Sequence, residues 1–287
     1  MIFNDVRAGR LSLAPAALAG LALCTFVLPA VGQSFTYSDT DLLLGFRKTG
    51  GATTVLMNLG PAAQFYNAQP GSTFSVGNAA SMFIASSRAF GGLSSFSGLQ
   101  YSVTGTLRSA ANANADHPVQ TLWVTKESPD LSTASDPWSR QSSFGLGNTA
   151  AKIQTMGNLA VSYGSVNVAS IDARTILIPS ADGDSYGRWV GSGTSGNGAV
   201  GNFNNTFQGN VEGHTPAVFS NGDAVRLDLY QVTPGSGDAQ NLGYFRLTGS
   251  GSLTFTATSV PEPGTWALVG LGVFALVGAS RRGAANR

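Results

Sequence analysis

The chain has 287 residues, of which only 11% are charged and 37 are glycine, and its formal net charge is +1. A charge this small excludes a nucleic-acid binder that works through a basic surface, and two histidines with one cysteine exclude Cys/His zinc sites and disulfide frameworks. The hydrophobic share of 43% is large enough to form a core, so the chain is expected to fold.

The N-terminus has the three parts of a secretory signal peptide. Arg7 and Arg10 precede a largely apolar run over residues 11–28, and small residues follow at alternate positions up to Gly32. This order predicts cleavage between Gly32 and Gln33, although an uncleaved membrane anchor remains an alternative. Lipid attachment at Cys24 is disfavoured, because the bulky side chain of Leu23 stands directly before it.

Short β-strands dominate the predicted elements of the central part. Alternation of apolar and polar residues over 99–108 predicts a strand with one buried and one solvated face, and 224–232 repeats the pattern with Arg226, Asp228 and Tyr230 facing outward. A glycine- and serine-rich turn over 249–252 predicts a hairpin. The predicted strands cover residues 41–47, 53–59, 99–108, 119–126, 159–168, 174–178, 224–232, 244–248 and 253–258.

Two helices are predicted among these strands. Asn78 is a suitable N-cap for a helix that extends to Phe90 and ends at the Gly91-Gly92 pair. A second, short helix is expected over 150–156. The pattern as a whole predicts a mainly β chain, a sandwich or jelly roll with one or two short helices. A division into two lobes near residues 182–213 is the alternative, and most of that stretch is expected to form a surface loop.

The C-terminus has its own three-part pattern. Residues 260–264 form a rigid Pro-rich stretch, residues 265–279 carry no charge, and Arg281 and Arg282 follow. As a helix the uncharged stretch would span about 22 Å at about 1.5 Å per residue. The hydrocarbon core of a bilayer is about 30 Å thick, so a transmembrane helix here would be a marginal span, and a buried core helix is the alternative.

These C-terminal residues resemble the PEP-CTERM sorting signal of Gram-negative bacteria. The resemblance implies that Pro261, Glu262 and Pro263 are recognised by an exosortase and that Arg281 and Arg282 stop transfer through the membrane. It also implies cleavage near the motif, delivery to the cell surface or its surroundings, and a setting of exopolysaccharide production. The chain would then comprise a signal peptide (1–32), a β-rich extracellular body (33–259) and a sorting signal (260–287), with its motif at 260–264, its helix at 265–280 and its basic tail at 281–287.

Candidate catalytic and metal-binding groups are sparse in the body. His117 and His214 stand next to or near prolines and are expected in surface loops. Glu127 and Glu212 are the two glutamates of the body, and no spacing pairs them for acid–base catalysis. Asp182-Gly183-Asp184 could offer oxygen ligands to Ca²⁺, but a plain turn is preferred because the motif lacks further ligands. No catalytic residue, cofactor or metal site is predicted.

Tryptophans are the candidate ligand contacts, because their flat rings can stack on sugars. Trp123, Trp138 and Trp189 all have core packing as the competing interpretation. Trp138 is the preferred sugar contact, since Asp136-Pro137 predicts an exposed turn directly before it.

We therefore expect an exported, non-enzymatic protein of the cell surface or extracellular matrix, with a structural or adhesive role. Its partners would be signal peptidase and an exosortase, the membrane transiently through the C-terminal helix, and exopolysaccharide, but not nucleic acid. A carbohydrate-binding module is the first alternative, and a secreted hydrolase of matrix polymer is the second.

Overall fold

The computed structural model describes residues 34–164, 172–190, 203, 206, 207, 211–220, 223–235 and 237–258. The predicted signal peptide with its cleavage site at Gly32 and Gln33, most of the predicted surface loop, and the sorting signal lie outside these residues. Within the described part, no helix combines the length and the apolar character needed to cross a membrane.

Ten strands form one antiparallel sheet, which confirms the mainly β class. Its order is β3-β10-β9-β8-β5-β4-β1-β2-β6, and β7 pairs with β4 beside this path. The expected sandwich of two separate sheets differs from this, because hydrogen bonds join all ten strands. The strands are β1 (Asp41–Arg47), β2 (Thr53–Pro61), β3 (Thr73–Ser75), β4 (Gln100–Thr106), β5 (Leu122–Glu127), β6 (Thr175–Pro179), β7 (Gly213–His214), β8 (Ala224–Val232), β9 (Gln240–Thr248) and β10 (Leu253–Ala257).

Four α-helices accompany the sheet in the described part: α1 (Ala63–Tyr66), α2 (Ala79–Phe90), α3 (Ser143–Tyr163) and α4 (Tyr186–Trp189), with a 3₁₀ turn at Ala110–Asn112. The prediction for α2 is confirmed at both ends. The Asn78 side chain accepts a hydrogen bond from the Ser81 amide, and Gly91 ends the helix with a φ of 82°. A left-handed residue at this position is the usual helix stop, and glycine adopts it without strain.

Helix α3 corrects two predictions. It has 21 residues, so the helix expected over 150–156 is much longer, and the strand expected over 159–168 is wrong at least as far as Tyr163. Its buried face repeats every three or four residues, which is the period of a helix. The buried apolar side chains of this face are Leu146, Ala150, Ile153, Met156 and Ala160.

Both faces of the sheet are covered at β1 and β4, and this is the main departure from the sequence prediction. All seven residues of β1 are buried. Leu44 and Phe46 belong to one hydrophobic core, whereas Leu43 belongs to a second core that includes residues of α3 and α4. The solvated face expected for 99–108 is therefore wrong, and Ser102 and Thr104 are completely buried there.

An aromatic cluster joins distant parts of the curled sheet. Helix α1, which follows β2 directly, brings Phe65 against β9 and β10. The ring of Phe65 lies 5.5 Å from that of Phe245 and 5.1 Å from that of Phe255, centroid to centroid. Such pairs add about 0.5–1.5 kcal/mol each beyond the burial of their surface. The cluster thus links β2, near one edge of the sheet, to strands near the other edge.

Gly45 lets the ring of Tyr186, a residue of the second core, pack directly against β1. A Cβ atom at this position would lie 2.6 Å from Cγ of the Tyr186 ring, and closer still to neighbouring ring atoms. We expect Gly45→Ala to lower the free energy of unfolding by about 1–3 kcal/mol, because the added methyl group overpacks the core. Urea denaturation of the purified body measures this change.

The matched control is Gly183→Ala, where nothing lies within 4 Å of the added Cβ. Its expected effect is within about 0.5 kcal/mol. Equal losses in the two variants would contradict the packing of the Tyr186 ring against β1.

Candidate functional site

Charged side chains gather at one end of the sheet, where β1 and β5 end and β4 and β8 begin. Three pairs lie there: Arg47 with Glu212, Arg226 with Asp228, and His214 with Glu127. The first two pairs are buried and the third is partly exposed. This end is the candidate site, because it brings these charged side chains together within the described body.

Arg47 and Glu212 form a hydrogen-bonded ion pair inside the protein. Arg47 Nη2 lies 2.7 Å from Glu212 Oε2, and Arg47 Nε lies 2.9 and 3.0 Å from the two carboxylate oxygens. Glu212 is completely buried. Burial by itself would lower the pKa of Arg47, but the hydrogen bonds and the charge of Glu212 outweigh it, so that the pKa rises.

Tyr186 and Ser102 extend this ion pair into a network. The Tyr186 hydroxyl donates to Glu212 Oε1 at 2.7 Å, and Ser102 Oγ lies 2.9 Å from the same hydroxyl. Burial, and then the nearby Glu212 carboxylate, raise the pKa of Tyr186 well above 10.0. With both oxygens bonded inside the core, the Glu212 carboxylate serves as a structural link between β1, α4 and the segment before β7.

The second buried pair holds the loop over residues 128–136. Arg226 Nη2 lies 2.7 Å from Asp228 Oδ1, and the Ser135 amide donates to Asp228 Oδ2 at 2.6 Å. Arg226 also donates to the Leu131 carbonyl at 3.2 Å. The outward, solvated positions predicted for Arg226, Asp228 and Tyr230 are therefore wrong, because this loop covers them; their exposed fractions are 7%, 0% and 0%.

The third pair lies at the surface. His214 Nδ1 is 3.2 Å from Glu127 Oε2, and the His214 amide donates to Glu127 Oε1 at 2.8 Å. The hydrogen bond from Glu127 raises the pKa of His214 above 6.5, against an opposing effect of burial. The pair therefore stabilises the fold fully below the unfolded-state pKa of about 6.5, and this contribution is lost as the pH rises through the folded-state pKa.

An open concavity of about 650 Å³ lies between Glu127 and the 128–136 loop. Lys126 stands at its side, donates to the Asp136 carbonyl at 2.8 Å and lies 4.6 Å from the centre of the Trp138 ring. The lining offers hydroxyl, ammonium and carboxylate groups that could hydrogen-bond a polar molecule. Lys126 and Glu127 already bond to the protein, and the bond from Lys126 to the Asp136 carbonyl holds the end of the loop.

Trp138, the preferred sugar contact, is buried and not exposed as the sequence predicts. Trp138 is only 2% exposed, and its ring packs 4.9 Å from that of Phe207. Asp136 and Pro137 are exposed as expected, but the Trp138 ring after them joins the second core, and a buried ring offers no free face to a sugar. Trp123 is likewise buried, and Trp189 is partly buried beneath the Lys152 ammonium, which lies 3.9 Å from its ring centre.

The two histidines occupy different environments. His214 belongs to the short strand β7 and is exposed, whereas His117 packs its ring 4.2 Å from that of Tyr66. Burial lowers the pKa of His117 below 6.5. His117 is therefore less exposed than a free surface-loop histidine.

Asp182 and Asp184 form a turn within the described body. Asp182 Oδ1 accepts the Asp184 amide at 3.1 Å, and Asp182 Oδ2 accepts the Tyr163 hydroxyl at 3.0 Å. Among the described residues, no group of three or more histidine, aspartate or glutamate side chains could hold a metal ion.

The buried pairs were missed by sequence reasoning. The sequence presents Glu212 only as a potential catalytic acid and Arg47 only as the last residue of a strand. The available signal was a charged residue within or beside an apolar strand, since such a residue is rarely buried without a partner. The partner itself was not predictable, because Arg47 and Glu212 are 165 positions apart.

Removing one partner of the buried pair tests its structural role. We expect Arg47→Met to lower the free energy of unfolding by about 3–5 kcal/mol, because it leaves the Glu212 carboxylate buried without its counter-charge. Adding Glu212→Gln should recover part of the loss, and denaturant titration measures both variants.

The control for this test is Arg174→Met. Arg174 is half exposed in its pair with Asp172, so its loss should cost less than about 1 kcal/mol. A loss at Arg47 no larger than the loss at Arg174 would contradict the buried pair.

The pKa of His214 is raised and that of His117 is lowered, and this difference gives a test of their environments in solution. Because the chain has two histidines, proton NMR should show two imidazole titrations, one with its midpoint above 6.5 for His214 and one below 6.5 for His117. Glu127→Gln should lower the His214 midpoint and leave that of His117 unchanged. Two midpoints that both stay in place in this variant would rule out the His214–Glu127 pair.

Comparison with known proteins finds a similarity in the C-terminal residues that follow the described body. Residues 259–282 match the family model of the PEP-CTERM protein-sorting motif. No curated protein and no solved structure is detectably similar to the chain. The match includes Pro261, Glu262 and Pro263 and ends at Arg282, so the resemblance drawn from the sequence is confirmed. The chain thus carries a PEP-CTERM protein-sorting motif at residues 259–282, and this motif supports a sorting-domain protein that is a substrate of an exosortase.

Proposed function

We propose that the chain is an exported, non-enzymatic protein with a structural or adhesive role at the cell surface or in the extracellular matrix. Signal peptidase would remove residues 1–32, and an exosortase would process the C-terminal signal. The observation that carries the proposal is the sorting motif over 259–282, which begins directly after the last described residue of the body.

The end of the folded body supports this division of the chain. Thr258 is the last described residue; its amide donates to the Leu242 carbonyl at 3.2 Å, and its hydroxyl donates to the Asn241 carbonyl at 3.3 Å. The chain is thus hydrogen-bonded to the sheet as far as Thr258. The motif can be removed or transferred without taking away any part of the ten strands.

The use of the buried carboxylates supports a non-enzymatic role. In the described part, the buried acids are Asp41, Glu212 and Asp228. Asp41 accepts the Asn58 side-chain amide and the Ser38 amide, and the other two acids are held in ion pairs. General acid–base catalysis needs a carboxyl group within reach of a substrate. These three groups instead bond to the protein.

The composition of the body supports a place among hydrated polymers. Charged residues are 11% of the chain, and its loops are rich in serine, threonine and asparagine. Hydroxyl and amide side chains carry no net charge, and they both donate and accept hydrogen bonds. They are therefore suited to contact with the hydroxyl groups of exopolysaccharide.

Replacing Pro261, Glu262 and Pro263 together by alanine tests the sorting route. We expect the variant to accumulate as a membrane-associated precursor, because the enzyme loses its recognition residues. Cell fractionation with intact-mass analysis, in strains with and without the sorting protease, measures precursor and product.

The control is Pro129→Ala, a change at an exposed proline of the body. It should be processed like the unaltered chain. Normal processing of the triple variant, or identical products in the two strains, would refute sorting through this motif.

A further inference from the structure

The strand order places both ends of the body at the same end of the sheet. Five successive antiparallel pairings lead from β1 through β4, β5, β8 and β9 to β10. Each pairing reverses the strand direction, so an odd number makes β10 run opposite to β1. The start of β1 and the end of β10 therefore lie at one end, which we call the base; the opposite end is the tip.

The chain is fixed to the base at both points of departure. On the N-terminal side, Phe35 is buried in the second core, and the Ser38 amide donates to Asp41 Oδ2 at 2.8 Å. On the C-terminal side, the Ala257 carbonyl accepts the Gly71 amide at 2.9 Å, and Thr258 bonds to β9. Neither departure point can move away from the base unless these contacts break.

Chain length then limits how far the two apolar segments can lie from the base. Phe35 lies seven positions after Leu28, where the N-terminal apolar run ends, and Thr265, where the C-terminal run begins, lies seven positions after Thr258. A fully extended chain covers at most about 3.6 Å per residue, so each connection spans no more than about 25 Å. A single membrane can hold both segments while the body stays folded.

We propose that the base faces the membrane during sorting and that the tip points away from it. This inference rests on the proposed export and sorting route. The tip carries the three ion pairs and the concavity beside Glu127, because β5 ends there. The C-terminal connection alone maintains the orientation once the signal peptide is removed, and the exosortase acts beside the base.

Tethering, rather than attraction to lipid, produces this orientation. The described loops of the base cover 34–40, 67–72, 107–121, 172–174 and 233–239 apart from residue 236. Their aspartates outnumber their arginines, so anionic lipid does not attract them. The aspartates are Asp39, Asp116, Asp172 and Asp238, and the arginines are Arg108 and Arg174.

Single cysteines in the full-length chain test the orientation. The sequence has one cysteine, Cys24, so Cys24→Ala gives a cysteine-free background. Gln69→Cys then marks an exposed position of the base, and Ser250→Cys marks an exposed position of the tip. A maleimide attached to a large polyethylene glycol is added to spheroplasts of a strain without the sorting protease. Its rate of reaction measures the accessibility of each introduced cysteine.

We expect the cysteine of the base to react several-fold more slowly than that of the tip in the membrane-held precursor. The two rates should become equal in urea and in the processed, released protein. A long Gly/Ser insertion after Thr258 should remove most of the difference, because it frees the base from the membrane. The released body should not bind phosphatidylglycerol vesicles.

Two failures can be told apart. A precursor that fractionates away from the membrane refutes the sorting route, and the orientation with it. A membrane-held precursor that reacts equally at both positions, or more slowly at the tip, overturns the orientation alone. Protection of the base that persists after the insertion would also overturn it, since protection would then not come from the short connection.

Discussion

The described structure depends on one constraint, which the ion pair of Arg47 and Glu212 illustrates: a charge buried in the protein needs a counter-charge beside it. Core residues cover both faces of the sheet at β1, and the 128–136 loop covers the Arg226 side of β8. A charged side chain at these positions is buried and must find its partner inside the protein. Arg47 meets this requirement through Glu212, and Arg226 through Asp228. Glu212 comes from the segment before β7, whereas Asp228 lies in β8 beside Arg226 and accepts the Ser135 amide of the 128–136 loop. Each pair therefore also holds a neighbouring segment against the sheet.

The same sheet separates two tasks. Its base carries both connections to the terminal segments, and its tip carries the charged pairs and the concavity. The separation arises because an odd number of antiparallel pairings connects β1 to β10, which brings the start of β1 and the end of β10 to the same end of the sheet. It needs no special sequence at either end. A body of this kind can be processed at one end while the loops of the other stay clear of the processing enzyme.

Much of the fold was predictable where local signals agree. Asn78 and Gly91 defined α2, and the apolar run of β1 and the hairpin of β9 and β10 were recognisable from neighbouring residues alone. Helix α3 was only partly recognised, although its apolar residues follow a helical period, because the strand expected from 159 onward competed with it. The candidate site was not predictable, since its pairs join residues far apart in the chain.

The sequence by itself determined the route of this protein, because a sorting signal is a short linear pattern of prolines, apolar residues and arginines. Pro261, Glu262 and Arg281 carry that information whatever fold precedes them. Only the tertiary structure decided that Trp138 is buried, that Arg226 and Asp228 face inward, and that Arg47 meets Glu212. These outcomes depend on which segments cover each face of the sheet, and a period of two along a strand indicates two faces without indicating what packs on them.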